Sequence, residues 1–212
     1  MLRSPLLLAL VLVASTLGAQ QDSGFEPGRD YNRLTPTQPT SSPPEQVEVA
    51  EVFWYGCPHC YNFDSYLSEW ESSKAEYVSF VRIPAVWNPL LRVHAQAFYT
   101  AQVLGKGAEM HEPLFAEIHE NSNYLDTPEK LANFFARFGV SRETFEETFN
   151  SREVNMLLQK AEELNQRYQI SSVPTIVING KYTSNASMTG SYERLIELMD
   201  TLAASEHRAQ SQ

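Results

Sequence analysis

Two apolar runs flank a helical pattern in the first half of the chain. Residues 47–55 read VEVAEVFWY, and this enrichment in β-branched and aromatic side chains predicts a buried strand. Gly56 ends the run, and Pro58 suits the first turn of a helix, where its missing N–H group costs nothing. We therefore expect a helix over residues 60–74 and a second strand over residues 77–83.

The next stretch, residues 88–162, changes to helical periodicity interrupted by glycines and prolines. Thr127 and Pro128 have the pattern of a helix start, with a hydroxyl cap followed by proline in the first helical position. Apolar residues then recur at three- and four-residue spacing, both after this start and over residues 151–168, which predicts stripes that face the core. The stripes comprise Leu131, Phe134, Phe135, Phe138, Val154, Leu157, Leu158, Ala161, Leu164 and Tyr168.

Strand character returns near the end of the chain, at residues 173–178 and 181–183. Asn179 and Gly180 between these runs favour a tight hairpin turn. A closing helix is predicted over residues 191–204, and the polar tail at residues 206–212 is predicted to be flexible. A strand and helix, a helical block, and then a hairpin and helix indicate an α/β domain that carries a helical insertion.

The first 19 residues have the order of a secretory signal peptide. Arg3 precedes an apolar stretch that is shorter than the roughly 20 residues a spanning helix needs, and we expect cleavage after Ala19. The mature protein is therefore expected outside the cytoplasm. Residues 20–46 are polar and rich in proline, which predicts an extended lead-in with a short edge strand at residues 31–34.

The charge of the chain narrows the choice of partners. It has 16 basic and 26 acidic side chains, a formal net charge of −10 at pH 7. This balance argues against nucleic acid or an anionic membrane surface as a partner. An exported chain with 2 cysteines also differs from a disulfide-stapled scaffold, which carries many.

Both cysteines lie in one motif, Cys57-Pro58-His59-Cys60, directly after the first predicted strand. At the first turn of a helix they share a face, and their α-carbons can approach the roughly 5–6 Å that a disulfide requires. Free N–H groups and the helix dipole favour a thiolate at Cys57, and His59 can add to this as a cation or donor. Cys60 lies one turn deeper and is expected to be shielded.

This asymmetry predicts a division of roles. Cys57 is expected to exchange with a partner thiol, and Cys60 to close the internal bond. Because a stabilised thiolate makes the disulfide a stronger oxidant, the motif favours the donation of disulfides over their reduction.

Two other interpretations of the motif remain open at this point. A structural disulfide would restrict the unfolded chain by only about 2 kcal/mol, because the loop it closes is so short. A zinc site would need two further ligands, and His94, His111, His119 and His207 show no matching spacing. Redox exchange is the interpretation that the motif favours.

The segment FWYGCPHCY at residues 53–61, with Val173-Pro174-Thr175 before the predicted hairpin, resembles the DsbA family of thiol:disulfide interchange proteins of the Gram-negative periplasm. The resemblance covers essentially the whole mature chain. It implies a thioredoxin-like fold, formed by residues 47–87 and 163–205 and interrupted by a helical domain at residues 88–162. It also implies that Pro174 is a cis proline beside the disulfide, and Val173 is typical of DsbA rather than of the related isomerases.

Glu51 lies six residues before Cys57, on the same face of the predicted strand as several apolar neighbours. A carboxyl group in such a strand is expected to have a raised pKa and to be suited to accept or relay the proton of Cys60. From the residues alone, a strand-end acid is an equal alternative. The resemblance implies the buried position beneath the active site.

Trp54 and Tyr55 have two interpretations. They can form part of a hydrophobic rim that receives unfolded peptide, with strand-like backbone pairing near Val173 adding to the contact. They can equally be core residues of the strand.

The resulting hypothesis is a periplasmic oxidoreductase that donates the Cys57–Cys60 disulfide to newly exported, cysteine-containing proteins. The resemblance implies reoxidation by a DsbB-like membrane quinone reductase; no bound cofactor is implied, and we expect a monomer. The alternatives are a disulfide isomerase or reductase, and a chaperone-like binder that holds unfolded chains on the helical insertion. The lack of an obvious dimerisation domain counts against an isomerase.

Overall fold

The structure, a computed structural model, describes residues 24–211, so the predicted signal peptide lies outside the described residues. Within residues 24–211 the chain forms a five-stranded sheet and eight helices. The strands are β1 (Asn32–Arg33), β2 (Val47–Phe53), β3 (Val78–Pro84), β4 (Thr175–Ile178) and β5 (Tyr182–Ser184). The helices are α1 (Pro58–Ser73), α2 (Pro89–Val103), α3 (Gly107–His119), α4 (Pro128–Ala136), α5 (Arg142–Phe149), α6 (Arg152–Arg167), α7 (Ala186–Thr189) and α8 (Tyr192–Gln210).

Strand β2 lies inside the sheet, whose order is β1-β5-β4-β2-β3. It pairs in parallel with β3 and antiparallel with β4. Every residue of β2 is buried, because Val47 and Val49 pack with α1 and α8, while Ala50 and Val52 pack with α2 and α6. The strands and the helix predicted for this region are confirmed, with ends within two residues of the predicted ones.

Helices α2 to α6 follow one another between β3 and β4, and α2 to α5 share an aromatic core with Phe53 of β2 and with Tyr55. The predicted start of α4 is confirmed, since the Thr127 hydroxyl accepts from the Lys130 N–H and Pro128 is the first helical residue. The predicted stripes face inward, except that Phe138, Leu157 and Leu164 are only half-buried. The boundary predicted at residue 162 falls inside α6, which continues unbroken to Arg167.

Helix α8 continues to Gln210, so residues 206–210 of the tail that was predicted to be flexible are helical. The cause is Glu206, which is 5% exposed and accepts hydrogen bonds from Asn179 (2.8 Å) and from the Tyr182 hydroxyl (2.9 Å). It also forms an ion pair with Lys181. These contacts hold the end of α8 against the hairpin of β4 and β5.

The lead-in is tied to the sheet at two places. Its predicted edge strand is confirmed as β1, which pairs antiparallel with β5. Further along, one Glu48 carboxylate oxygen accepts from the backbone N–H groups of Ser41 (2.7 Å) and Ser42 (3.1 Å) and from both hydroxyls. Glu48 is therefore a buried carboxylate of β2 whose polar atoms are well satisfied.

Candidate active site at the amino terminus of helix α1

Cys57 is the capping residue of α1, and Pro58 is its first helical residue. The backbone of Cys57 is extended (φ −89°, ψ 117°), and its carbonyl accepts the first helical bond from Tyr61 at 3.0 Å. Its N–H group donates to the carbonyl of Trp54 at 3.0 Å, which fixes the turn between β2 and α1. The Cys57 sulfur therefore lies at the end of a helix where N–H groups lack partners within the helix.

The two sulfurs are unbridged here and have opposite proton affinities. The pKa of Cys57 is lowered to about 6, mainly by a hydrogen bond from the Cys60 thiol and then by the backbone N–H groups of Cys60 and His59, against the opposing effect of burial. Burial, the hydrogen bond to Cys57 and the nearby Glu51 carboxyl raise the pKa of Cys60 far above the ordinary range of thiols. At neutral pH, Cys57 is consequently a thiolate and Cys60 keeps its proton.

The contribution of His59 is smaller than the sequence suggested. Its side chain is exposed, and its charge ranks behind the Cys60 thiol and the two backbone N–H groups in lowering the pKa of Cys57. Its backbone carbonyl accepts a hydrogen bond from the Tyr192 hydroxyl at 3.1 Å, which ties the motif to α8. The backbone N–H groups of the helix terminus thus lower the pKa of Cys57 more than the charge of His59 does, and the hydrogen bond from the Cys60 thiol lowers it most.

The loop before β4 lies beside the cysteines. The Val173–Pro174 peptide bond is cis, as the resemblance implied. The Cys57 sulfur lies 3.5 Å from the carbonyl oxygen of Val173. Val173 is half-buried and Pro174 buried, and the Thr175 hydroxyl closes the turn by donating to Ser172 at 2.8 Å.

Glu51 lies in the core of the protein with 1% of its surface exposed. Burial raises its pKa to about 8; Arg82 opposes this shift, whereas Asp64 and Cys57 add to it. One carboxyl oxygen lies 3.4 Å from the guanidinium of Arg82, and the other has no hydrogen-bond partner among the described residues. The predicted raised pKa is therefore confirmed, and Glu51 and Cys60 interact electrostatically.

Arg82 is a site residue that the sequence argument missed. It is the partner of Glu51 in the parallel register of β2 and β3, and its guanidinium also contacts Asp64 (3.2 Å) and Glu71 (3.3 Å) of α1. A signal was present, because Arg82 is the one charged residue in the strand VSFVRIP. The sequence did not give the register of the two strands, and it is this register that places Arg82 against Glu51.

Tyr55 does not belong to an exposed rim. It is 2% exposed, its ring packs edge-on against Phe53 and Phe115, and its hydroxyl is 2.9 Å from Nδ1 of His111. Two faces of this residue are therefore taken up by the aromatic core, which overturns its assignment to peptide binding.

Trp54 is half-buried, and its indole N–H donates to His94 at 2.9 Å. The other ring nitrogen of His94 bonds to the backbone carbonyl of Tyr124, whose own side chain is 63% exposed. Trp54 thus retains a partly exposed position immediately after β2. Its role in peptide binding stays a prediction.

Among the described residues, no group of three or more His, Cys, Asp or Glu side chains is placed to hold a metal ion. Within the same residues, none of the helices has both the length and the apolar character needed to cross a bilayer.

An activated cysteine at a helix terminus, paired with a shielded one and facing a cis proline, places the protein among the thiol:disulfide oxidoreductases of the thioredoxin fold. Within that class, the family model of the DSBA-like thioredoxin domain matches residues 74–197. The chain belongs to the DsbA family.

Relatives extend this match over nearly the whole chain, including the cysteine motif that precedes residue 74. The chain is 37% identical over 209 residues to the thiol:disulfide interchange protein DsbA of Pseudomonas aeruginosa, covering 98% of this chain and 99% of the relative. It is 36% identical over 212 residues to DsbA of Azotobacter vinelandii, with 97% and 99% covered. The crystal structure of Pseudomonas aeruginosa DsbA superposes with a TM-score of 0.85 at 37% identity, covering 90% of this chain and 99% of that one. The thioredoxin-like fold with a helical insertion is thereby confirmed.

Proposed function

We propose that the protein donates its Cys57–Cys60 disulfide to cysteine-containing proteins as they fold after export. The opposed proton affinities of the two thiols carry this proposal. Donation leaves Cys57 as a thiolate, and the helix terminus together with the Cys60 thiol stabilises that anion. A reduced form stabilised in this way makes its disulfide a strong oxidant.

The exchange proceeds in two displacements. A client thiolate attacks the Cys57 sulfur, a client–Cys57 disulfide forms, and the Cys57–Cys60 bond breaks with its electron pair on Cys60. A second client thiolate then attacks the client sulfur of this mixed disulfide, and Cys57 leaves as a thiolate. The client loses two electrons and gains a disulfide, and the cysteine pair is reduced by the same two electrons.

Glu51 is the proton carrier for Cys60 in this scheme. Cys60 leaves as an anion in a fully buried position, where an uncompensated charge is costly. With a pKa of about 8, Glu51 holds a proton at neutral pH that it can give to the Cys60 thiolate, and it can take a proton back during reoxidation. A pKa near the working pH suits a group that acts in both directions.

Val173 and Trp54 are the proposed contacts for the client chain. The carbonyl of Val173 adjoins Cys57, so an extended client segment that pairs with this loop would present its sulfur at the reactive thiol. Trp54 is partly exposed beside the same turn. Pro58, exposed in the first turn of α1, shapes the approach to Cys57.

The amino-terminal segment and the family support a periplasmic setting. The signal-peptide pattern of residues 1–19 supports export to the periplasm. There, newly exported proteins with free thiols are the clients, and a DsbB-like membrane quinone reductase reoxidises the dithiol. In this proposal the protein acts as a monomer, needs no bound cofactor and does not bind nucleic acid.

The redox potential tests the direction of electron flow. Equilibration with glutathione buffers, followed by quantification of free thiols, is expected to place the potential well above that of thioredoxin, about −270 mV. A value at or below that of thioredoxin would overturn the proposal. A reduced client should gain disulfides, and Cys57→Ser should abolish this oxidation. A chaperone-like binder would instead keep its activity in Cys57→Ser. An isomerase would be recognised by efficient reshuffling of the disulfides of a scrambled client.

A further inference from the structure

Arg82 is surrounded by three carboxyl groups, and their arrangement determines which of them is protonated. Glu51 of β2 and Asp64 and Glu71 of α1 all lie 3.2–3.4 Å from its guanidinium nitrogens. Glu71 is partly exposed, but the side chains of Glu51 and Asp64 are 2% and 12% exposed. Arg82 alone cannot balance the charges of Glu51 and Asp64, from which solvent is largely excluded, while it also pairs with Glu71, so one of the two buried carboxyl groups holds a proton.

Hydrogen bonds select Glu51 as the protonated member. One Asp64 oxygen accepts both from Arg82 and from Nε2 of His111, each at 3.2 Å. Burial opposes ionisation of Asp64, but the hydrogen bonds from His111 and Arg82 and the charge of Arg82 all favour the carboxylate form. Glu51, in contrast, has one oxygen without a partner in residues 24–211 and a raised pKa. Asp64 therefore carries the charge and Glu51 the proton.

The ring of His111 is oriented by Tyr55. Burial raises the pKa of Tyr55 well above its ordinary value, so its hydroxyl keeps the proton and donates to Nδ1 of His111 at 2.9 Å. Burial also lowers the pKa of His111, so the imidazole is neutral at pH 7. A neutral ring that accepts at Nδ1 carries its hydrogen on Nε2, the atom that faces Asp64.

We propose that His111 is a positioning residue for disulfide exchange: held by Tyr55, it fixes the Asp64 carboxylate against Arg82 and so keeps Glu51 protonated near Cys60. This inference rests on the proposed transfer of a proton between Glu51 and Cys60. It also gives Tyr55 a function in the core, at the far end of a chain of contacts that runs through His111, Asp64 and Arg82.

The structure shows which charged and titratable groups lie around Glu51 and around His111. Glu51 interacts with Arg82 of β3 and with Asp64 and Cys60 of α1. It also interacts with the capping residue Cys57 and with Tyr55, which follows β2. Asp64, Glu71, Arg82 and Tyr55 act on His111. Because Asp64 raises the pKa of Glu51, removing its negative charge is expected to make Glu51 a stronger acid.

The test follows the side-chain carboxyl of Glu51 by 13C NMR in the dithiol form of the full-length mature protein, with Glu51→Gln to assign the signal. The parent should titrate with a midpoint of about 8. Asp64→Asn and His111→Leu should lower the midpoint by about one pH unit, a tenfold increase in the acid dissociation constant. His111→Gln should stay close to the parent, because its amide retains a donor for Asp64.

The same substitution at a histidine elsewhere provides the matched control. The ring of His207 in α8 stacks on that of Tyr77, with 4.1 Å between ring centroids, and His207→Leu should leave the midpoint of Glu51 unchanged. Near-ultraviolet circular dichroism checks the fold of each variant. If His111→Leu does not fold, Asp64→Asn, which keeps the shape of the side chain, decides the question.

An unchanged Glu51 midpoint in Asp64→Asn and His111→Leu would overturn the inference, whether or not the protein donates disulfides. The proposed function fails by a different result, namely a parent protein that does not oxidise a reduced client. A shifted midpoint in the two variants, with recovery in His111→Gln, would support the positioning role independently of turnover.

Discussion

The sulfur of Cys57 lies 3.5 Å from the backbone carbonyl of Val173, although 116 positions separate the two residues in the chain. The contact joins the start of α1 to the loop before β4. Cys60, by comparison, has no exposed surface. Cys57 retains 7% exposure, so exchange with another molecule is expected at its sulfur.

This asymmetry predicts opposite behaviour of two single-cysteine variants. Cys60→Ser should accumulate a mixed disulfide through Cys57 when it is exposed to a low-molecular-weight disulfide, because no second thiol can resolve it. Cys57→Ser should accumulate little under the same conditions, since Cys60 is shielded and its pKa is raised. Intact-mass spectrometry after acid quenching distinguishes the two, and equal labelling would contradict the division of roles.

The titration of Cys57 provides a second prediction. Thiolate absorbance of the reduced protein should rise with a midpoint near pH 6, well below the ordinary thiol value of about 8.5. His59→Ala should raise this midpoint but leave it below about 8.5, because the Cys60 thiol and the backbone N–H groups remain in place. A midpoint in His59→Ala equal to that of a free thiol would show that the imidazole, and not the helix terminus, dominates.

Two buried glutamates of β2 are expected to respond oppositely to the same substitution. The pKa of Glu51 rises from 4.5 to about 8 on folding, so the folded protein holds a proton that the unfolded chain releases, and stability falls as pH rises across this window. Glu51→Gln removes that loss. It should stabilise the protein by at most about 3 kcal/mol at pH 7, with the gain disappearing toward the acidic end of the window.

Glu48→Gln is the matched control and should destabilise the protein, because the Glu48 carboxylate accepts charge-assisted bonds from Ser41 and Ser42. Urea unfolding of both variants at about pH 5 and about pH 8 measures the difference. A loss of stability in Glu51→Gln throughout the window would show that Glu51 is well paired in the folded state.

Truncation after Ala204 tests the correction at the carboxyl end. It removes Glu206 and leaves Lys181 and Asn179 of the hairpin without their acceptor. We expect a loss of about 3 kcal/mol in the free energy of unfolding, since hydrogen bonds to charged groups contribute about 1.5–3 kcal/mol each. A flexible tail would instead be removed without effect, and Glu206→Gln should give an intermediate loss.

The elements that the sequence predicted well depend on local signals. Thr127 and Pro128 specify the start of α4 through one hydroxyl and one ring, both close in the chain to the backbone they act on. The apolar run that became β2 needs no knowledge of its partners, because a strand buried on both faces is apolar throughout. The start of α1 at Cys57 was likewise predicted from neighbouring residues, namely Gly56 and Pro58.

The features that the sequence did not predict depend on distant partners. The length of α8 is set by contacts of Glu206 with residues more than 20 positions away, and Tyr55 is buried by helices of the insertion. The size of the effect of His59 on the pKa of Cys57, relative to that of the neighbouring N–H groups, depends on where those groups lie. Residue identity does not supply these positions. Arg82 was the exception, since its lone charge in an apolar strand was visible from the start.

The pairing of β2 with β4 has a consequence for how the molecule is made. Residues 49–52 pair with residues 175–178, so the middle of the sheet stays incomplete until the chain has been made as far as residue 178. Pairings of such sequence separation form late and slowly compared with helices. Until the sheet is complete, Cys57 and Cys60 therefore lack the surroundings that shield Cys60 in the folded protein.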